Sequence, residues 1–84
     1  MTDSTEKLQK VFIENVGVPP DTDWRKLAYG STPGWDSVGH MALVSGIENT
    51  FDIMLTTDQV INMSDFSKAK EIIAEHGIVF DAQG

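Results

Sequence analysis

The sequence contains no cysteine, and this absence excludes several kinds of chemistry. Disulfide bonds, thiolate metal sites and a cysteine nucleophile all require that residue. Histidine is almost as scarce: His40 and His76 are the only two, they lie far apart in the sequence, and no obvious set of further ligands accompanies them. We therefore expect no metal site and a fold that is stabilised by packing alone.

Basic residues are missing from the middle of the chain. Residues 31–66 contain five acidic side chains and neither lysine nor arginine, within a chain whose net charge is -7. Such a surface repels the phosphate backbone of nucleic acids and attracts partners with basic patches. We therefore expect protein partners and no nucleic acid, with a purely solubilising role for the acids as the alternative.

The sequence also lacks a long apolar run. No stretch approaches the length of a membrane span, and the initial MTDSTEKLQK has no apolar region of the kind that signal peptides contain. We expect a cytoplasmic protein without stable membrane insertion. The 84 residues, 1–84, are expected to form one small domain and a monomer.

Apolar spacing and capping residues predict an all-α fold, a small four-helix bundle. The first helix is expected over about 4–16, with a capping-box-like start at Asp3 and Glu6 and a stop at Gly17. A long loop follows, with one helical turn expected after Asp23.

Three further helices are expected after this loop, the middle one short. Thr56 or Thr57 is a candidate cap for the third helix and Ser64 for the fourth. The tail, 78–84, is expected to fold back on the bundle through its first apolar residues. The predicted ranges of the three helices are about 37–50, 57–62 and 65–76.

The segment GWDSVGHMALV places apolar residues on two opposite faces of one helix. One arc is the expected core stripe, and its members are Leu43, Val44, Ile47 and Phe51. On the opposite side lie Val38, Met41 and Ser45, where an outer helix of a bundle is normally charged. We interpret Val38 and Met41 as an exposed contact for a partner, with Glu48 among the acids around it.

The dipeptide Asp36-Ser37 begins this helix. Asp36 is a good N-cap, which explains it without any function. A serine hydroxyl at the first helical position is also exposed, and it lies where free N–H groups and the positive helix end favour an attached phosphate. The alternative is a hydrolytic nucleophile with His40 or His76 as its base, although the G-x-S-x-G pattern is absent.

The stretch WDSVGHMALVSGIENTFDI resembles the signature of acyl carrier proteins, in which an Asp-Ser-Leu triplet opens the second helix. The resemblance extends over most of the chain, through the order of helices and the spacing of Glu48, Phe51 and Ile53. It implies a carrier and not an enzyme. A phosphopantetheinyl transferase with Mg²⁺ and coenzyme A would attach 4'-phosphopantetheine to Ser37 as a phosphodiester, with Asp36 assisting.

The resemblance also implies how such a carrier works. The thiol of the arm holds an acyl group as a thioester, and the bundle shelters an apolar cargo among Leu43, Val44, Ile47 and Phe51. Acyl-loading and acyl-transferring enzymes with basic or apolar patches dock on the exposed side of the second helix. The resemblance implies that this surface is formed by Val38, Met41, Ser45 and Glu48.

The chain departs from the family pattern close to Ser37. Val38 replaces the usual leucine, and the stretch after it, which begins at Gly39, is poorer in acids than in carriers of primary fatty-acid synthesis. These departures indicate a specialised pathway such as polyketide, peptide, lipid or surface-polysaccharide modification. The Asp-Ser-x-Gly start also resembles D-alanyl carrier proteins, so an aminoacyl carrier is one alternative. A helical interaction module without an arm is another.

Overall fold

The computed structural model describes residues 4–80. Among these residues no strand forms, and one isolated backbone bridge pairs Ala28 with Asp65. The predicted all-α bundle with a short third helix is confirmed. The α-helices of the described range are α1 (Ser4–Asn15), α2 (Ser37–Phe51), α3 (Thr57–Asn62) and α4 (Phe66–Ala74).

The ends of the helices follow from their caps. Thr56 begins α3 through a capping box with Gln59, in which each side chain accepts a hydrogen bond from the other residue's backbone N–H. For α4, the predicted cap Ser64 is wrong, because Oδ1 of Asp65 accepts the N–H of Lys68 at 2.7 Å. Asp65 is therefore the cap, and α4 begins one residue later than expected.

Two predictions concern residues outside the described range. Asp3, expected to start the first helix, lies there, as does the part of the tail beyond residue 80. Within the described tail, Phe80 packs beside Phe51 with ring centroids 6.3 Å apart, and Ile78 also packs against the core. None of the helices between residues 4 and 80 combines the length and the apolar character needed to span a membrane.

The long loop between α1 and α2 is anchored along its length. A 3₁₀ helix, Trp24–Lys26, begins at Asp23, whose Oδ1 accepts the N–H of Arg25 at 3.1 Å. This hydrogen bond, helped by the Arg25 guanidinium, lowers the pKa of Asp23. Further along, the N–H of Tyr29 donates to the carbonyl of Ser64 at 2.9 Å, which ties the loop to the start of α4.

The loop also supplies the centre of the core. Trp35, the second residue before α2, is fully buried, as is Phe12 of α1. Their rings meet edge to face with centroids 5.1 Å apart, and Phe12 also packs against Phe66 of α4 at 5.3 Å. Because Trp35 is held in the core, the start of α2 is held close to it.

Two glycines of this loop, Gly34 and Gly30, differ in how closely other atoms pack against them. Both have a left-handed backbone, with φ of +88° and +84°. A Cβ on Gly34 would overlap the carbonyl oxygen of Val16, whereas a Cβ on Gly30 would meet nothing within 4 Å.

We expect Gly30→Ala to lower the free energy of unfolding by about 1–2 kcal/mol through backbone strain alone. Gly34→Ala should cost clearly more in chemical denaturation; equal losses would show that the Val16 contact is unimportant.

Candidate functional site

Ser37 is the first residue of α2, and its side chain is exposed. The preceding Asp36 is the N-cap: its Oδ1 accepts the backbone N–H of Gly39 at 2.9 Å. Gly39 is buried, and a Cβ there would overlap the carbonyl oxygen of Gly34. The first turn of α2 is thus held against the loop, while the Ser37 hydroxyl is directed to the surface.

The Ser37 hydroxyl has a tyrosine as its hydrogen-bond partner. Ser37 Oγ and the hydroxyl of Tyr29 lie 3.2 Å apart, within hydrogen-bond distance. Tyr29 is itself 43% exposed, so both hydroxyl groups are accessible from solvent. Among the hydrogen bonds of residues 4–80, none joins Ser37 to a histidine, so the geometry offers no support for the alternative of a serine hydrolase.

His40 makes two hydrogen bonds that were not predicted from the sequence. The indole Nε1–H of Trp35 donates to Nδ1 of His40 at 2.9 Å. Because an indole nitrogen can only donate, Nδ1 must accept, so the proton of the neutral ring is on Nε2. Nε2 lies 2.8 Å from the carbonyl oxygen of Val60 and donates to it. His40 therefore joins the loop, α2 and α3, and neither ring nitrogen remains free to act as a base.

The other histidine also has a structural role. His76 follows the end of α4, and its Nε2 lies 3.0 Å from Oε1 of Gln59. Gln59 donates in turn to Glu75 at 2.9 Å. This small network connects α3 to the end of α4. It does not include Ser37, which belongs to α2.

The two faces of α2 lie as the helical spacing predicts. The predicted core stripe is buried, with Leu43 and Ile47 fully so. On the opposite face Val38 is 80% exposed and Met41 is 60% exposed, and Ser45 is exposed too. The apolar residues of that face are therefore free to contact another molecule, although partner binding by them remains a prediction.

Glu48 differs from the other predicted partner residues. It is half-buried, and its Oε2 accepts the backbone N–H of Leu55 at 2.9 Å. The chain turns back after α2 through Asp52, which has a left-handed backbone, and the Glu48 carboxylate holds the segment that follows. Its structural role was missed because Leu55 is seven residues away and outside the helix.

Further exposed apolar residues lie beyond α2. Ile61 of α3 is 71% exposed and Met54, in the connection before α3, is 81% exposed. Neither residue was predicted from the sequence to be a surface contact. The sequence feature that could have indicated this surface is the lack of any basic residue between 31 and 66. Without lysine or arginine there, apolar and acidic side chains form much of the surface.

A shallow groove of about 300 Å³ lies beside Tyr29. Its walls are mostly apolar and come from the loop, α2 and the end of α3. Tyr29 lines the groove and also lies within hydrogen-bond distance of Ser37, so one residue connects the groove with the Ser37 hydroxyl. The lining residues are Tyr29, His40, Val60, Ile61, Met63 and Ser64.

Comparison with known proteins gives relatives over nearly the whole chain. An acyl carrier protein of Zymomonas mobilis is 29% identical over 76 residues, which cover 90% of this chain and 97% of the relative. Acyl carrier proteins of Caulobacter vibrioides and Phenylobacterium zucineum are each 28% identical over 75 residues, 89% of this chain and 96% and 95% of the relatives. The chain is a homologue of acyl carrier proteins.

The resemblance seen in the Asp36-Ser37 segment is thereby confirmed. The homologues are carrier proteins and not enzymes, which confirms the prediction of a carrier over an enzyme and supports a carrier role. No family model matches the chain, and no solved structure matches it significantly.

The bond between Glu48 and Leu55 predicts a difference between two substitutions. Glu48→Ala removes the acceptor of a partly buried hydrogen bond. We expect a loss of about 1.5–3 kcal/mol in the free energy of unfolding, because the acceptor is a charged group. Glu48→Gln keeps a carbonyl acceptor and should lose less than half of that. Urea denaturation measures both. If the two variants unfold alike, and close to the native protein, the hydrogen bond does not hold the segment after α2.

Proposed function

We propose that this chain is a carrier whose Ser37 receives a 4'-phosphopantetheine arm from coenzyme A through a phosphopantetheinyl transferase. The observation that carries the proposal is the exposed Ser37 hydroxyl at the first residue of α2, in a chain homologous to acyl carrier proteins. A phosphodiester at this position would lie at the positive end of the helix dipole, beside backbone N–H groups of the first turn.

The residues around Ser37 suit such an attachment. Transfer joins the phosphate of the arm to Ser37 Oγ, the hydroxyl proton is lost, and adenosine 3',5'-bisphosphate leaves. Asp36 uses Oδ1 to cap α2, and its exposed carboxylate can also face the Mg²⁺ of the transferase. When bound, the arm supplies the thiol that holds an acyl group as a thioester, in a chain that has no thiol of its own.

The exposed side of α2 is the proposed docking surface for partner enzymes. Acidic residues near both ends of α2 attract basic patches over long range, and the exposed Val38 and Met41 then provide apolar contact. Ser45 extends this surface. Glu48 belongs to its edge, because its carboxylate is already engaged with Leu55.

The balance of this surface supports a specialised pathway of polyketide, lipid or surface-polysaccharide modification. Val38, Met41 and Ile61 are all more than half exposed, so apolar contact outweighs charge around Ser37. An aminoacyl carrier of the D-alanyl type uses the same attachment site. The intact mass of protein isolated from its host distinguishes the two, because it gives the mass of the attached group.

The attachment site is tested with coenzyme A, Mg²⁺ and a broad-specificity phosphopantetheinyl transferase. We expect the native protein to gain the mass of one phosphopantetheinyl group and Ser37→Ala to gain none, because the phosphodiester needs Oγ. Intact-protein mass spectrometry measures the gain. Ser67→Ala is the matched control, since Ser67 is another exposed serine in the first turn of a helix, α4, and it should be modified like the native protein.

Modification that persists in Ser37→Ala, or fails in the native protein, rules out the proposed attachment. Asp36→Asn separates capping from assistance in the same assay. Asparagine caps helices about as well as aspartate, so the melting temperature should hardly change. If the carboxylate faces the metal of the transferase, modification of Asp36→Asn should still be slower.

The docking surface is tested by placing a charge on it. We expect Met41→Asp to lower kcat/KM for modification by the transferase about tenfold, the effect of losing roughly 1.4 kcal/mol of contact. Because Met41 is exposed, the free energy of unfolding should change by no more than about 0.5 kcal/mol. Val79→Asp is the control, since Val79 is 82% exposed on the tail after α4. A large drop in stability would mean that Met41 packs within the bundle.

A further inference from the structure

A column of aromatic rings leads from Ser37 into the core. Tyr29, at the surface beside Ser37, meets the ring of His40 edge to face at 5.2 Å between centroids. His40 stacks on Trp35 at 6.2 Å with 20° between the ring planes, and Trp35 meets Phe12 at 5.1 Å. From outside to inside, the rings change from 43% exposed at Tyr29 to fully buried at Trp35 and Phe12.

The column is held in place by hydrogen bonds on both edges of the His40 ring. Nδ1 accepts the indole N–H of Trp35, and Nε2 donates to the carbonyl oxygen of Val60 in α3. Rotation of the imidazole would break both bonds at once and leave the buried indole N–H without an acceptor, which is costly. His40 therefore holds α2 and α3 in contact next to Ser37. We call this contact, from His40 to Val60, the seam between the two helices.

We propose that His40 is a specificity-determining residue, which restricts the cargo of this carrier to a short acyl group that lies in the groove beside Tyr29. This inference rests on the proposed attachment of an arm to Ser37. It replaces the expectation that the cargo enters the bundle among the core residues of α2. Leu43 and Ile47 are fully buried in the core, and neither lines the groove.

The groove has the size and the chemistry for such a group. Its volume of about 300 Å³ lies at the lower end of the range for small-molecule sites. Val60, Ile61 and Met63 give it apolar walls, and the hydroxyls of Tyr29 and Ser64 lie among its lining. The acyl group is carried at the end of a flexible arm, which can fold back along the surface to the groove beside Tyr29.

The test loads the full chain with acyl-phosphopantetheine from hexanoyl- or dodecanoyl-coenzyme A and a broad-specificity transferase. Intact mass first confirms that each arm and acyl group is attached. Thermal unfolding then compares the two forms, since burying additional methylene groups stabilises a folded protein. For the native chain we expect melting temperatures that agree within about 1 °C, because the six additional carbons find no route inward.

His40→Ala should remove the limit on the length of the acyl chain. We expect its dodecanoyl form to melt more than about 5 °C above its hexanoyl form, because the longer chain can fill the space of the lost ring. His40→Gln is the matched control: glutamine offers one donor and one acceptor, so the seam should stay closed and chain length should have no effect.

The outcomes separate this inference from the proposed function. If no mass is gained, the proposed function fails. If the native dodecanoyl form melts clearly above the hexanoyl form, the carrier function stands and the limit on cargo length is wrong. A folded His40→Ala that shows no dependence on chain length also overturns the role of His40. Should His40→Ala fail to fold, the native protein still decides the limit on cargo length by the same comparison, and His40→Ser, which also lacks the ring, takes the place of His40→Ala in testing His40.

Discussion

The arrangement of the site depends on one buried hydrogen-bond donor, the indole N–H of Trp35. Leaving such a group unpaired in the core would cost about 1–3 kcal/mol, so the fold must bring an acceptor to it. Nδ1 of His40 is that acceptor, at 2.9 Å. The bond selects the ring tautomer, and the proton thereby placed on Nε2 donates to Val60 of α3. A single requirement in the core thus sets the position of α2 relative to the loop and to α3, and Ser37 lies one turn before His40 on the same helix.

The glycines of α2 allow this close packing. Judged by helix propensity alone, Gly39 and Gly46 weaken the helix by about 1 kcal/mol each relative to alanine. The structure gives both a steric reason. A Cβ at Gly39 would overlap the carbonyl of Gly34, and one at Gly46 would lie 2.9 Å from Val11 Cγ1 in α1. The intrinsic cost is therefore offset by close contacts of α2 with the loop on one side and with α1 on the other.

Helix order, the core stripe of α2 and the exposure of Met41 could all be predicted, because each depends on residues that are neighbours along one helix. The cap of α4 was misjudged by one position, since Ser64 and Asp65 are both good caps and the choice depends on which oxygen reaches Lys68. The bonds of His40 could not be predicted. Its acceptor Val60 is twenty residues away, and contacts between separate elements leave no periodic signal in a sequence.

Charge and apolar surface have different consequences for the proposed encounters of this carrier with partner enzymes. Attraction between the acidic middle of the chain and a basic patch acts over roughly a Debye length, about 8 Å at physiological salt, and mainly raises the rate of encounter. The apolar contact proposed for Val38, Met41 and Ile61 would act only at touching distance and would mainly set the rate of release. With few acids near Ser37 and much exposed apolar surface, salt should alter how fast the proposed complexes form far more than how long they last.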